Sequence, residues 1–396
     1  MMARDALPST ARGARKAPDD VMRTRPFGTE GPPIIRHFVA GGTEHGGGIG
    51  RLVGYVLSDP NTSLEHSVVD TRGPRWRPFP AALRLSMALA GMVMDRVRAR
   101  PVLYHFHIAG RGSTARKAIL GAWARCLGLR YVLHLHDYDY EADLLRRPAW
   151  QFRIIRALFR HAAQVIVLGY RDETTVRDRL GVAPGRITVL RNCVPAPIPA
   201  PVGRDPGRPV EILFLGQLGP RKGVPELIAA LADPAMPQAG WRAILAGDGP
   251  TDTYRAEIAR RGLSDRVSLS GWVGAEAAAA LRAHADILVL PSHAEGFAMA
   301  VLEGLAQGIA VVTTRVGAHD EVLEDGRTCL LVAPGDVTGL AHALARLVAD
   351  PALRHELGAE GQALYRSRFR IEEYVQALER LHVRLHRTAA LAEDPV

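Results

Sequence analysis

The chain has 396 residues, of which 47% are hydrophobic and 23% are charged, and its net charge is +9. This balance is typical of a globular protein with two or three domains, and no run of about 18 apolar residues predicts a membrane span. Because the N-terminus lacks an apolar signal segment and the cysteines Cys126, Cys193 and Cys329 lack metal-ligand spacing, we expect a cytoplasmic protein.

Positive charge is concentrated in the first half of the chain. Residues 1–200 hold 30 Lys and Arg against 16 Asp and Glu, whereas residues 201–396 hold 20 against 25. This asymmetry indicates an anionic partner for the first half. Since the basic residues are not interleaved with aromatic residues, we expect a diphosphate-bearing substrate or an anionic membrane surface rather than nucleic acid. An arginine-rich solvated surface is the alternative.

The first 33 residues are rich in Pro, Gly, Arg and Asp and predict a disordered basic tail. From Ile34 onwards, apolar runs alternate with helical stretches. The runs are Ile34–Ala40, Val102–Phe106, Tyr131–Leu135 and Val165–Leu168, and the helical stretches are Thr114–Leu127, Trp150–His161 and Glu173–Leu180. This alternation predicts a parallel-sheet domain over residues 34–193.

A glycine-rich loop, Gly46–Gly50, follows the first predicted strand. Glycines let a backbone approach a phosphate or a sugar closely, so we expect Gly48 to contact a donor; a flexible turn is the alternative. The loop is not G-x-G-x-x-G and lacks a P-loop lysine, which disfavours a dinucleotide dehydrogenase and an ordinary NTPase.

Two basic features of the first half are candidates for binding an acceptor or a membrane. Ser113, Arg116 and Lys117 stand at the start of a helix after a strand and could hold a lipid-linked diphosphate, with a solvated helix face as the equal alternative. The apolar segment Leu83–Met94 lies beside Arg84, Arg96, Arg98 and Arg100, and it could rest on a membrane surface or form core with a solvated flank.

Six prolines within residues 194–209 predict a linker. A second α/β domain follows over residues 210–370, and residues 371–396 predict a C-terminal helix that could cross back to the first domain. The predicted strands are Glu211–Leu215, Arg242–Ala246, Val267–Ser270, Ile287–Leu290, Ala310–Thr313 and Cys329–Val332. Two such domains imply a cleft between them.

The loops after the strands of the second domain carry its polar motifs. Gly216 ends the first strand, and Arg221 and Lys222 at the following helix start predict a pyrophosphate cradle. Gly247 lies in a tight turn after the next strand. The segment from Pro291 to Glu303 places Glu295 and Gly296 on a loop before a helix, and Glu303 two turns further on.

Together these motifs resemble retaining GT-B glycosyltransferases of family four, over residues 210–370. The resemblance rests on Glu295-x7-Glu303 with Gly-Phe after the first Glu, Gly216 to Gly223, Gly247-Asp-Gly, Gly271-Trp-Val, Ala285 to Ser292 and Glu324-Asp-Gly. The first half resembles the family through Gly46–Gly50 and His134-Leu-His136-Asp137. Residues 105–117 are similar to bacterial exopolysaccharide members.

The resemblance implies two Rossmann-like, doubly wound parallel-sheet domains facing across a cleft that holds a nucleotide sugar. It implies that Glu303 binds the ribose, and that Glu295, Lys222 and His136 are catalytic. In this interpretation Glu295 contacts sugar hydroxyls, Lys222 neutralises the leaving diphosphate, and His136 binds the transferred sugar or stabilises an oxocarbenium ion. The donor site is completed by Gly48, Gly216, Arg221, Gly247 and the backbone amides of Phe297, Ala298 and Met299.

The implied activity is retaining transfer of a hexose from a UDP- or GDP-linked sugar to a lipid-linked or saccharide acceptor in polysaccharide biosynthesis. The enzyme would be cytoplasmic, could be peripheral on the inner membrane face, and would need no metal or other cofactor. Asp137-Tyr-Asp139 has the letters of a metal motif, but we interpret it as incidental, and we interpret His134 as a core histidine.

One departure from the family is Gln217, where an Arg is common. A two-carboxylate hydrolase fits poorly, because Glu295 and Glu303 would lie about 12 Å apart. The remaining alternatives are a nucleotide-sugar epimerase, a phosphorylase and a non-catalytic sugar-nucleotide-binding assembly protein. A phosphorylase would need a pyridoxal lysine, and we expect no buried site for Lys16, Lys117 or Lys222.

Overall fold

The computed structural model describes residues 32–198 and 207–392. Most of the predicted basic tail, residues 1–31, and the middle of the predicted linker, residues 199–206, therefore lie outside the described residues. Each predicted domain contains one six-stranded sheet in which all strand pairs are parallel. The predicted fold class, two α/β doubly wound domains, is confirmed.

The first domain is built on six strands flanked by six helices. The strands are β1 Ile34–Val39, β2 His66–Asp70, β3 Val102–Ile108, β4 Tyr131–Leu135, β5 Gln164–Val167 and β6 Ile187–Val189. The helices are α1 Gly47–Ser58, α2 Pro78–Val97, α3 Arg111–Cys126, α4 Tyr140–Leu145, α5 Ala149–Arg160 and α6 Tyr170–Thr174. The strand order β2-β1-β3-β4-β5-β6 places the carboxyl ends of β1 and β4 on either side of β3.

The second domain also has a six-stranded parallel sheet, with a different strand order. Its strands are β7 Val210–Leu215, β8 Trp241–Ala246, β9 Val267–Gly271, β10 Ile287–Leu290, β11 Ala310–Thr314 and β12 Leu330–Val332. Its helices are α7 Val224–Leu231, α8 Thr251–Arg260, α9 Ala275–His284, α10 Met299–Gln307, α11 His319–Val322, α12 Val337–Ala349 and α13 Pro351–Arg368. The order β12-β11-β10-β7-β8-β9 puts β7 and β10 side by side, so the loops that follow them meet at one edge.

The last helix, α14 Ile371–Ala392, packs against the first domain. Glu379 accepts hydrogen bonds from the backbone amides of Ser63 and Leu64, and a guanidinium nitrogen of Arg130 donates to the carbonyl of Leu385 at 2.6 Å. The last described helix is thereby joined to the first domain.

Two strands were not predicted from the sequence, β2 and β6. Every residue of both is only partly buried, because they lie at the two edges of their sheet and are not covered on both faces. These two strands therefore lack the burial on both faces that gives the central strands their continuous apolar runs. Among the described residues, no helix has both the length and the apolar character that crossing a membrane requires.

Candidate active site

Glu295 lies on the loop between β10 and α10, and its side chain is only 9% exposed. Its Oε1 atom accepts hydrogen bonds from Ser292 Oγ at 2.7 Å and from Lys222 Nζ at 2.5 Å, and a guanidinium nitrogen of Arg221 is 3.6 Å away. Burial alone would raise the pKa of Glu295, but the neighbouring ammonium of Lys222 and the guanidinium of Arg221 lower it below its usual value. The carboxylate is therefore ionised at neutral pH.

Lys222 and Arg221 reach Glu295 from a short helical turn, Pro220–Lys222, that follows β7. The turn ends at Gly223, whose φ is +70° and whose missing Cβ would lie 2.0 Å from the carbonyl oxygen of Pro291. Only glycine fits this position. Arg221 donates to the carbonyl of Ala294 at 2.9 Å and stacks over the ring of Tyr138, 4.7 Å from its centroid. Arg221 thus reaches across to the first domain, and Lys222 lies beside it at Glu295.

The opposite side of the Glu295 loop rests on the residues after β11. A Cβ on Gly317, where φ is +53°, would lie 2.0 Å from the Glu295 carbonyl oxygen. Buried His319 accepts a hydrogen bond from the Ala298 amide at its Nε2 atom, at 3.2 Å, and burial lowers the pKa of His319 to about 4. The Ala298 amide, one of the three predicted phosphate ligands, therefore already donates its hydrogen bond to a side chain of the protein. The carbonyl of Phe297 accepts from Asn192.

Glu303 is buried and is held by groups from both domains. Its Oε1 accepts from Arg51 at 2.8 Å and from Tyr55 at 3.1 Å, and its Oε2 accepts from Arg282 at 3.0 Å. Sequence reasoning missed these partners. The sequence could have indicated two of them as site residues. Arg51 directly follows the glycine-rich loop, and Tyr55 stands four residues later on the same helix face.

The first domain faces the Glu295 loop closely at two points. A Cβ on Gly48 would lie 3.5 Å from Met299 Cγ, and a Cβ on Gly296 would lie 3.4 Å from the carbonyl oxygen of His136. Predicted donor residues Gly48 and Met299, and predicted catalytic residues His136 and Glu295, are therefore brought to the same part of the cleft.

The remaining glycines of the predicted donor site lie at the neighbouring ends of β7 and β8. A Cβ on Gly247 would lie 1.6 Å from the carbonyl oxygen of Gly216, so the two turns are in direct contact. Gln217, the departure noted in the sequence, is exposed. Both Arg221 and Lys222 lie at Glu295.

His136 follows β4 and is hydrogen-bonded through Nε2 to Nδ1 of His107 at 2.9 Å. Burial lowers the pKa of His136 to about 3, so the ring is neutral and would act through its lone pair or its N–H rather than through a charge. His134 is completely buried, which confirms its interpretation as a core histidine. Two groups of three histidines, His37 with His105 and His107, and His107 with His134 and His136, bring ring nitrogens within 4.8 Å of one another.

The three predicted acceptor residues differ in their exposure. Arg116 is partly exposed, Ser113 accepts from the Ala109 amide and is nearly buried, and Lys117 is completely buried and donates to Thr71 Oγ1 at 3.2 Å. Burial lowers the pKa of Lys117 to about 7. The sequence did not predict this burial, and the expectation that Lys117 has no pyridoxal site stays a prediction. The helix α3 turns Lys117 towards the sheet rather than towards solvent.

Two family profiles match the two domains separately. The profile described as "Glycosyl transferase 4-like domain" matches residues 51–193, and the one described as "Glycosyl transferases group 1" matches residues 209–350. Together they cover more than half of the chain.

Curated relatives carry names of sugar-transferring enzymes. A glycogen synthase of Mycobacterium tuberculosis is 32% identical over 197 residues, which are 49% of this chain and 48% of that protein. An alpha-D-kanosaminyltransferase of Streptomyces kanamyceticus is 27% identical over 282 residues, which are 66% of this chain and 71% of that protein. The chain spans about half the length of the first of these relatives.

Solved structures share the fold over both domains. A sucrose-phosphate synthase of Thermosynechococcus elongatus superimposes with a TM-score of 0.72 at 22% identity, covering 90% of this chain and all of that chain. Anabaena Alr3699/HepE in complex with UDP-glucose gives a TM-score of 0.68 at 19% identity, covering 90% of this chain and 99% of the other. The solved structures show a common GT-B fold, and the two profile matches show that the chain belongs to the group 1, family-four-like glycosyltransferases.

Proposed function

We propose that the protein transfers a hexose from a UDP- or GDP-linked sugar to a lipid-linked or saccharide acceptor, with retention of the anomeric configuration. The observation that carries this proposal is the placement of Lys222 and Arg221 around Glu295, with His136 next to the same loop on the facing domain. The family membership and the nucleotide complexes of the fold relatives support a sugar-nucleotide donor.

The cradle has more positive than negative charge, because two cations share one carboxylate. A diphosphate entering the cleft would pair with Lys222 and Arg221, and Glu295 would then be available to accept hydrogen bonds from sugar hydroxyls. Fixed cations stabilise the negative charge of the leaving diphosphate, as a divalent metal ion does in metal-dependent enzymes. We therefore propose a reaction that needs no metal ion.

The ribose is expected to bind at Glu303 by displacing one of its present partners. The Arg51 side chain is 43% exposed, whereas that of Arg282 is 14% exposed. Arg51 can therefore move into solvent at lower cost, which leaves one acceptor position of Oε1 for a ribose hydroxyl beside the Tyr55 hydroxyl, while Arg282 stays paired with Oε2. In this proposal Arg51 covers the ribose site when no donor is bound.

Retention follows if the acceptor hydroxyl attacks from the face that the diphosphate leaves. The departing phosphate oxygen would then take the hydroxyl proton, so that no second carboxylate is needed. Neutral His136 would hold a hydroxyl of the transferred sugar during this step. Glu295 and Glu303 have separate cationic partners, which supports separate roles rather than an acid–base pair.

A peripheral membrane location is supported by the surface of α2. Large apolar side chains along and just before this helix are exposed at three- and four-residue spacing, namely Trp76, Phe79, Leu83 and Met87. Arginines stand on both sides of them, including exposed Arg75, Arg77, Arg98 and Arg100. An apolar stripe flanked by cations is the pattern of a helix that lies on an anionic membrane surface, where a lipid-linked acceptor would be found.

The proposal is tested by incubating the purified protein with a panel of labelled UDP- and GDP-sugars and with extracted lipid-linked acceptors. Transfer of label to a lipid or saccharide, with an α-linkage from an α-linked donor, is the expected result. Isomerised free donor would instead identify the epimerase alternative, and binding without any turnover would identify an assembly protein.

A further inference from the structure

A row of four imidazoles crosses the sheet of the first domain, one from each of the neighbouring strands β2, β1 and β3 and one from the residue after β4. His66 Nδ1 lies 2.9 Å from His37 Nε2, His37 Nδ1 lies 3.0 Å from His107 Nε2, and His107 Nδ1 lies 2.9 Å from His136 Nε2. We call these four residues the histidine row. It joins the edge of the sheet to the cleft.

All four rings of the row have the same orientation, with Nδ1 towards the cleft and Nε2 towards the sheet edge. A neutral imidazole has one N–H and one lone pair, and burial lowers the pKa of His37 and His107 well below the usual value. An unbroken row therefore has only two proton arrangements, with the proton on Nε2 in every ring or on Nδ1 in every ring. The first presents a lone pair of His136 to the cleft, and the second presents an N–H.

Glu379 of α14 stands at the edge of the row, with Oε1 3.7 Å from His66 Nε2. Burial alone would raise the pKa of Glu379, but hydrogen bonds from the Ser63 hydroxyl and from the Ser63 and Leu64 amides lower it. The group is thus a carboxylate, which can accept but not donate. Its charge favours a proton on the facing nitrogen of His66 and disfavours a lone pair there.

At the other end, His136 is partly exposed, and its Nδ1 makes no hydrogen bond to any described residue. We propose that Glu379, acting through the histidine row, fixes His136 in the Nε2–H form, so that Nδ1 accepts a hydrogen bond from a hydroxyl of the bound sugar. The inference rests on the proposed function for the sugar, and it makes Glu379 a positioning residue on the C-terminal helix.

A second set of histidines beside the row provides an internal control. His382 Nε2 lies 3.1 Å from His105 Nδ1, and His105 Nε2 lies 3.3 Å from His134 Nδ1. This set ends at His134 Nε2, which is buried and has no hydrogen-bond partner among the described residues. It contains no residue of the row, so substitution of His105 removes a buried imidazole while leaving the row intact.

The direct test is nitrogen-15 NMR of the histidine rings in the ligand-free protein, which reports the protonated nitrogen of each ring. The wild type should show the Nε2–H form at all four positions of the row. In Glu379→Gln the side-chain oxygen must keep the place of Oε1, because the amides of Ser63 and Leu64 both donate there. The substitution therefore removes the negative charge that faces His66, and the row should then populate the Nδ1–H form, including at His136. The control Glu373→Gln, on the exposed face of the same helix, should leave every tautomer unchanged.

Steady-state kinetics give a second measurement, because a purely structural role of Glu379 would not produce the pattern of kcat changes described next. Glu379→Gln should lower kcat about tenfold, which corresponds to one hydrogen bond, with the Kd of the nucleoside diphosphate unchanged. In a His37→Phe background, which breaks the row, Glu379→Gln should have no further effect on kcat, whereas in His105→Phe its effect should persist.

Three results would overturn the inference. The first is an Nδ1–H form of His136 in the wild type, and the second is a His136 tautomer that is the same in Glu379→Gln as in the wild type. The third is a stoichiometric transition metal in the purified protein, because a metal would occupy the ring lone pairs. None of these readouts requires turnover. A protein with the expected tautomers but no transfer activity would contradict the proposed function and leave the proton arrangement standing.

Discussion

The two walls of the cleft hold their polar side chains in different ways. The wall of the second domain uses charged pairs, Lys222 with Glu295 and Arg282 with Glu303. The wall of the first domain uses neutral histidines that are hydrogen-bonded to one another. A buried cation needs an anionic partner, and an anionic ligand can take the place of the protein carboxylate. A network of neutral imidazoles instead forms hydrogen bonds with hydroxyl groups. The charged wall therefore suits a diphosphate, and the neutral wall suits a sugar.

The largest effect is expected at the charged wall. Lys222→Ala removes the ammonium nearest to Glu295 and should lower kcat by about 10²–10³, the usual cost of one lost stabilising donor at a developing negative charge. Glu295→Gln should also abolish most transfer. Steady-state assays with the identified donor measure both, and the exposed control Arg255→Ala should retain full activity. Near-normal turnover in both site variants would remove the charged wall from the mechanism.

The two arginines of Glu303 should differ in their effect on stability. Arg282→Ala leaves a buried carboxylate without its more buried partner and should lower the free energy of unfolding by about 3 kcal/mol. Arg51→Ala should cost less than about 1 kcal/mol, because Arg51 is much more exposed. Urea denaturation of both variants gives the comparison. Equal losses would contradict the view that Arg51 is the exchangeable partner.

The sequence predicted the fold and most of the charged wall, and much less of the neutral one. Central strands such as β10 are continuous apolar runs, and Lys222 and Glu295 follow such strands, so sheet topology alone brings them together. His66 could not be placed, because β2 is a partly exposed edge strand, and the contact of His66 with His37 of the predicted strand β1 depends on strand register. The burial of Lys117 was missed because a lysine next to an arginine on a helix is normally assigned to the exposed face, and full burial of a lysine is rare.

Stability should also depend on pH through a buried histidine of the charged wall. His319 has a pKa of about 4 in the folded protein against 6.5 in an unfolded chain, so the unfolded state binds the additional proton between these values. The stability that this neutral ring contributes is complete above pH 6.5 and is lost as the pH falls towards 4. By pH 5 the loss should be about 2 kcal/mol. Urea denaturation at pH 7 and pH 5 should show a smaller difference for His319→Gln than for the wild type.

The smallest effect is expected on the outer surface, away from both walls. Phe79→Glu and Met87→Glu place charges on the exposed stripe of α2 and should weaken binding to vesicles that contain anionic lipid by about tenfold. Transfer to a water-soluble acceptor should not change. Flotation of vesicles measures the binding. The control is Trp272→Glu, because Trp272 is exposed on the second domain. If Trp272→Glu weakened binding equally, the stripe on α2 would have no special role.

Calorimetric titration of UDP and GDP into the wild type, Lys222→Ala and Arg255→Ala tests the assignment of the charged wall most directly. One of the two nucleotides should bind the wild type and Arg255→Ala with the same Kd, and its Kd for Lys222→Ala should be at least about tenfold higher. An unchanged Kd in Lys222→Ala would contradict the assignment of the diphosphate to this wall of the cleft.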